Sequence, residues 1–202
     1  MVLGCAGLVA AHPGSVVLTV TAGRPGPGGL TDWDHRCGFA EGDDVVGTRR
    51  REDEDALAIL AAKPCWLDFL DRQYDHGAPP DVERVADAVE EALTGASSVA
   101  SPLGLGHPDH IAVAAACLDV ARRASGARWF IYEDAIYRAA AGGVEDALAR
   151  VRESGFALRE VFFPAAAEKR RAVAAYASQV IGLAGLLEDA WRPERYWEVT
   201  AR

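Results

Sequence analysis

Short runs of β-branched and aromatic residues recur along this chain with longer amphipathic stretches between them, and that alternation restricts the architecture more than any other feature. Val16-Val17-Leu18-Thr19-Val20-Thr21-Ala22 has no polar face, as expected of a strand covered on both sides in a parallel sheet. Similar strand signals lie at residues 65–70, 97–101, 128–133 and 156–163. Helical periodicity fills the intervals at 2–11, 48–62, 110–124, 144–154 and 166–187. After Pro79-Pro80, Asp81 is placed to cap a further helix with the stripe Val82, Val85, Ala86, Val89 and Leu93, and Gly95 to end it. Strand-helix alternation predicts an α/β fold: a doubly wound, mainly parallel, Rossmann-like sheet with its site at the carboxyl ends of the strands. The polar and aromatic tail 188–202 is expected to pack back on the body. With 202 residues and no second boundary, residues 1–202 read as one domain.

Charge and cysteine content narrow the function classes. The formal net charge is -9, and the one basic run, Arg49-Arg50-Arg51, leads directly into Glu52-Asp53-Glu54-Asp55. Nucleic acid is therefore not an expected partner, because binding it requires clustered excess cations. Cys5, Cys37, Cys65 and Cys117 have neither metal-ligand nor disulfide-framework spacing, so reduced thiols and a cytoplasmic location are expected. No stretch reads as a membrane span or a signal peptide.

His107-Pro108-Asp109-His110 carries the most chemistry. Two imidazoles flank a carboxylate after a Gly/Pro-containing turn and at the start of a helix, so one short segment can present a metal ligand, a donor for an oxyanion and an orienting carboxylate. A bland alternative is a helix start in which Asp109 is only a cap. Arg49 could clamp a substrate oxygen or belong to a solvated charged face. Asp71 could contact ligand or cap the next turn of the chain. His12 lies between the first helix and first strand, on the amino side of the sheet, and is not expected to join the site. Residues 23–47 lack sustained periodicity and are expected to form a wall or lid. Neither a Gly-x-Ser-x-Gly elbow, a Walker loop nor a Gly-x-Gly-x-x-Gly fingerprint is present.

The ordered set VLGCAGLVA (2–10), VVLTVTAG (16–23), RRREDEDALAIL (49–60), LDFLD (67–71), SPLGLGHPDHIAVA (101–114), YEDAIYR (132–138), KRRAVAAYASQV (169–180) and PERYW (193–197) resembles the PIG-L/LmbE-like family of zinc-dependent de-N-acetylases. That resemblance implies removal of an N-acetyl group from an N-acetylglucosamine-type substrate, with zinc as cofactor and a small acylated amino sugar as partner. It further implies His110 as a zinc ligand, His107 as the group polarising the carbonyl, Asp109 as the partner of His107, and Arg49 and Asp71 at the sugar. The family's first strand and its Ala-His-Pro-Asp-Asp motif, which hold two zinc ligands and the general base, would align before Met1. On that reading the first strand is missing from the sheet, and the chain by itself is expected to bind zinc poorly and to lack turnover. A non-catalytic sugar- or partner-binding protein on the same scaffold is the alternative reading.

Overall fold

The computed structural model describes residues 1–123, 126–139 and 143–201. Its elements run in the order α1 (Val2–Ala10), β1 (Val16–Thr19), α2 (Asp32–Arg36), α3 (Val45–Ile59), β2 (Lys63–Trp66), α4 (Val82–Ala92), β3 (Ser98–Pro102), α5 (Pro108–Arg123), β4 (Arg128–Tyr132), α6 (Gly143–Glu153), β5 (Phe156–Val161), α7 (Lys169–Ala175), α8 (Ala177–Leu183) and β6 (Tyr196–Ala201). Short 3-10 segments cover Arg72–Tyr74 and Ala184–Trp191. Each strand signal read from the sequence overlaps a strand, although β1 ends at Thr19 and β2 covers Lys63–Trp66 instead of 65–70, and Asp81 caps α4 by accepting the Arg84 N–H at 2.9 Å.

The strands form two sheets rather than one. β1 and β2 pair in parallel, Val17 opposite Pro64, while the second sheet has the order β3-β4-β6-β5. β3 and β4 are parallel, and β6 lies between β4 and β5, antiparallel to both. The tail thus enters the sheet as an interior strand rather than packing on it. Tyr196-Trp197-Glu198-Val199 explains why. Trp197 and Val199 join one apolar cluster and Tyr196 the other, a period of two with both faces covered. The expected single helix at 166–187 is likewise divided into α7, α8 and a 3-10 segment, with a break at Tyr176 (φ -81°, ψ 59°).

Helices cover both faces. One cluster joins Val85 and Val89 of α4, Val120 of α5, Leu148 of α6 and the β4 side chains Trp129 and Ile131. The other joins Val2 of α1, Leu57 of α3, Val173 of α7, Tyr132 of β4 and Val17 of β1, so a shared core connects the two sheets without hydrogen bonds between them. At about 25 cal/mol per Å² of apolar surface buried, such clusters dominate the stability of a chain this size.

α1 approaches β4 through its small residues. A Cβ on Gly4 would fall 2.5 Å from the Glu133 carbonyl oxygen, and one on Gly7 would fall 2.5 Å from that of Pro164. The helix is broken at Cys5 (φ -139°), and Glu194 compensates: its two carboxylate oxygens accept the Ala6 N–H at 3.0 Å and the Gly7 N–H at 2.8 Å, while Lys169 pairs with it at 2.7 Å. A carboxylate from the far end of the chain thereby caps the second half of α1.

Gly4→Val should therefore cost about 1–3 kcal/mol through overpacking, lowering the melting temperature by roughly 2–4 °C per kcal/mol in a chain of this size. Gly26→Ala, where an added Cβ meets nothing within 4 Å, serves as the control and should shift stability by less than about 0.5 kcal/mol. Thermal unfolding by circular dichroism reads both, and equal melting temperatures for the two variants would contradict the close packing of α1.

Candidate active site

The loop from β3 to α5 builds the site. Leu103-Gly104-Leu105-Gly106 must turn sharply to deliver His107 to the mouth of α5, and both glycines have positive φ (82° and 66°). Side chains are excluded there: a Cβ on Gly104 would lie 2.8 Å from that of Ala114, and one on Gly106 would lie 2.6 Å from the Tyr137 ring. His107 and His110 then stand with ring centroids 5.5 Å apart, and Tyr137 packs edge-on to His110 at 5.2 Å. All three line a cavity of about 780 Å³, together with Asp71, Asp134, Asp53, Tyr132 and Tyr176.

The two imidazoles are held differently. His110 Nδ1 lies 2.6 Å from Asp134 Oδ1, whereas His107 Nδ1 accepts the backbone N–H of Asp109 at 3.3 Å. An Nδ1 that accepts leaves the ring proton on Nε2, so a neutral His107 presents a donor. Burial lowers the pKa of His107 despite the opposing charge of Asp109, with the nearby His110 adding to the lowering, which favours that neutral form.

The carboxylate that meets an imidazole at hydrogen-bond distance is not the expected Asp109. Asp109 Oδ2 accepts the Arg72 N–H at 3.2 Å and stands 4.0 Å from His107 Nδ1, too far for a hydrogen bond. Its Oδ1 is buried and has no partner among the described residues, and burial raises the pKa of Asp109 above the ordinary value. Asp134 is the carboxylate that holds an imidazole. Sequence reasoning passed over it, although it lies in the segment YEDAIYR at the end of β4, where an acidic residue directly after a buried strand was the available signal. Asp71 lines the cavity and also caps the 3-10 turn, accepting the Gln73 N–H at 3.0 Å, so its capping reading holds.

Arg49 does not line this cavity. Its Nη2 donates to Asp34 Oδ1 at 2.9 Å and its Nη1 to the Tyr74 hydroxyl at 3.2 Å, while Tyr74 itself donates to Asp34 at 2.9 Å. Asp34 has 0% of its surface exposed and belongs to α2, which Thr31 opens with a capping box. The guanidinium thus fastens the 23–47 segment to α3, and that segment brings Trp33 into the cavity wall. Arg50 turns instead to the Ala22 carbonyl, at 2.7 Å. His12 is elsewhere, bonded to the Leu8 carbonyl at 2.8 Å and packed edge-on to Phe163. All four cysteines are free thiols. Among the described residues no helix is long and apolar enough to cross a membrane.

A family profile described as PIG-L, GlcNAc-PI de-N-acetylase, matches residues 1–121, more than half of the chain. The chain belongs to the PIG-L family. No curated protein sequence matches it. Among solved structures, it is similar to a triple mutant of a deacetylase of the teicoplanin biosynthetic pathway, at 26% identity and a TM-score of 0.78, covering 100% of this chain and 93% of that one. It also shares its fold with an A40926 pseudoaglycone deacetylase, at 24% identity and a TM-score of 0.76, over 99% of this chain and 92% of that one. A zinc-inhibited form of teicoplanin deacetylase gives 24% identity and a TM-score of 0.80, over 100% of this chain and 94% of that one.

Zinc, which membership in the PIG-L family implies, can be tested against the donors present. Catalytic zinc takes three protein ligands and an open position. Among the described residues, no three His, Cys, Asp or Glu side chains group so as to hold a metal ion, and His110 offers one nitrogen. These residues do not by themselves fit the metal.

Removing Arg49 strands Asp34 in the interior. Arg49→Ala should cost about 3–5 kcal/mol, the range for breaking a buried ion pair from one side. For Asp34, burial pushes the carboxyl pKa up, but bonds from Thr31 and Tyr74 and the charge of Arg49 outweigh it and hold the net value below the usual range. The stability Asp34 contributes is therefore present above the unfolded value of about 4 and is lost as the pH falls through the folded one. Denaturant titrations across that window should show an acid limb that is shallower in Asp34→Asn. An unchanged limb would remove Asp34 from the account.

Proposed function

We propose that this protein is a deacetylase that hydrolyses the N-acetyl group of an N-acetylglucosamine-type unit. The observation carrying this reading is the pair of differently held imidazoles at one cavity wall: His107 with Nδ1 accepting from the Asp109 backbone, and His110 with Nδ1 at Asp134. Amide hydrolysis builds negative charge on the carbonyl oxygen, and an imidazole bearing its proton on Nε2 can donate to that oxygen as the charge develops. The teicoplanin-pathway relative is a deacetylase and the family is described by de-N-acetylation of a glucosamine unit, which supports the same bond type, an acyl group on a sugar nitrogen.

Asp71, on the same wall, is suited to accept a sugar hydroxyl through the oxygen not used at Gln73. Arg49 acts at one remove, by holding the 23–47 segment and with it Trp33. The family's zinc would find His110 Nε2 available, with its other ligands still to be supplied. That shortfall favours a second reading, in which the chain binds an acylated amino sugar without cleaving it.

His107→Ala should lower kcat for an N-acetylglucosamine derivative by about 10²–10³-fold with little change in KM, as for loss of an oxyanion donor. His107→Gln, which keeps an N–H donor, should lose less. Acetate release and sugar binding measured on the same preparation divide the readings. Binding without release supports the second, and release that is indifferent to His107 overturns its assignment.

A further inference from the structure

We propose that Asp134 is the positioning residue of the site. Its carboxylate fixes the tautomer of His110, so that Nδ1 carries the proton and Nε2 keeps its lone pair for the cavity. The link to catalysis rests on the deacetylase reading, whereas the tautomer assignment stands on geometry alone.

Asp134 is 3% exposed and held at three points. Oδ2 accepts the backbone N–H groups of Gly104 at 2.9 Å and Leu105 at 3.1 Å, and Oδ1 meets His110 Nδ1 at 2.6 Å. Gly104 and Leu105 are themselves buried, so their N–H groups have no recourse to water. A carboxylate is acceptor-only when ionised, and with both oxygens engaged it requires a proton on the ring nitrogen facing it. That short bond fixes the orientation of the ring. No other hydrogen bond to the His110 ring occurs among the described residues, so orientation depends on Asp134.

The residue type is decisive, and this makes the idea testable. Asn at this position has one acceptor oxygen for two buried amide donors and one imidazole. The two amides are backbone and cannot turn away, so the oxygen should face them and the NH2 should face His110. Nδ1 must then accept, and the ring proton moves to Nε2, the nitrogen on the side away from Asp134.

Long-range ¹H–¹⁵N spectra of the full chain, recorded with and without a chelator at about pH 8, above the usual imidazole range, distinguish the two neutral tautomers. In the unaltered chain His110 should show the Nδ1–H form and His107 the Nε2–H form. Asp134→Asn should convert His110 to Nε2–H while leaving His107 unchanged, and should slow deacetylation by about 10–100-fold, the usual cost of removing such an orienting partner. Asp134→Glu, with its carboxylate retained, should keep the Nδ1–H form. An Nε2–H His110 in the unaltered chain, or an unaltered tautomer in Asp134→Asn, overturns the proposal. The first of these holds even if the Asn variant does not fold. Should the tautomer switch as expected in a chain that releases no acetate, the deacetylase reading fails and the positioning role of Asp134 remains.

Discussion

Three chain segments meet on the carboxylate of Asp134, and the carboxyl edge of the four-stranded sheet depends on that meeting. The loop after β3 supplies two backbone donors, the first turn of α5 supplies an imidazole, and the end of β4 supplies the acceptor. The Gly104 and Leu105 N–H groups lie where water is excluded, while the His110 ring is partly open to the cavity. A single buried anion satisfies all of them and sets the separation of the two loops, which in turn sets how His107 and His110 face the cavity.

That arrangement needs a firm base, and the residues after Asp134 provide it. The Arg138 side chain is 5% exposed and pairs with Asp189 at 3.0 Å, and it also donates to the Pro193 carbonyl at 2.9 Å. Asp189 in turn accepts the Ile136 N–H at 2.6 Å, at a residue whose φ is 71°. A β-branched residue in that region costs of order 1–3 kcal/mol and persists only where its surroundings over-determine it. Here the surroundings are an ion pair, a backbone bond and a neighbouring interior strand, β6. The strain places Ile136 in the cavity wall beside Tyr137.

How far the sequence revealed this depends on the range of the signals. Strands β1 to β5 and the N-cap of α4 were legible because they are local: β-branched runs, and Asp81 before an amphipathic stripe. His107 and His110 were legible because their chemistry is concentrated in four residues. Three features escaped because long-range partners decide them. β6 lies in a polar tail, and only the strands on either side of it, β4 and β5, make its aromatic alternation meaningful. Asp134 looks like any acidic residue after a strand until the loop from β3 is folded onto it. Arg49, aimed on paper at a substrate, is claimed by Asp34, which lies fifteen positions earlier in a segment without periodicity.

Arg49 also shows how a binding wall can be made from an aperiodic segment. Residues 23–47 bury little apolar surface of their own, so ordering them requires strong fixed points. Asp34 supplies one, with Thr31, Tyr74 and Arg49 around it, and Asp44 supplies another by capping α3 at Gly47 and pairing with Arg24 at 2.7 Å. Next to the first anchor, Trp33 is carried to the cavity, where it lies over Gly182 of α8, close enough that a Cβ on that glycine would stand 3.1 Å from the indole. Parts of the cavity wall are thus held by buried carboxylates: Asp34 fixes the segment that carries Trp33, and Asp134 fixes His110. Charge placed in the interior, costly in itself, is tolerated here because each anion is fully coordinated and each sets the position of a group in the cavity wall.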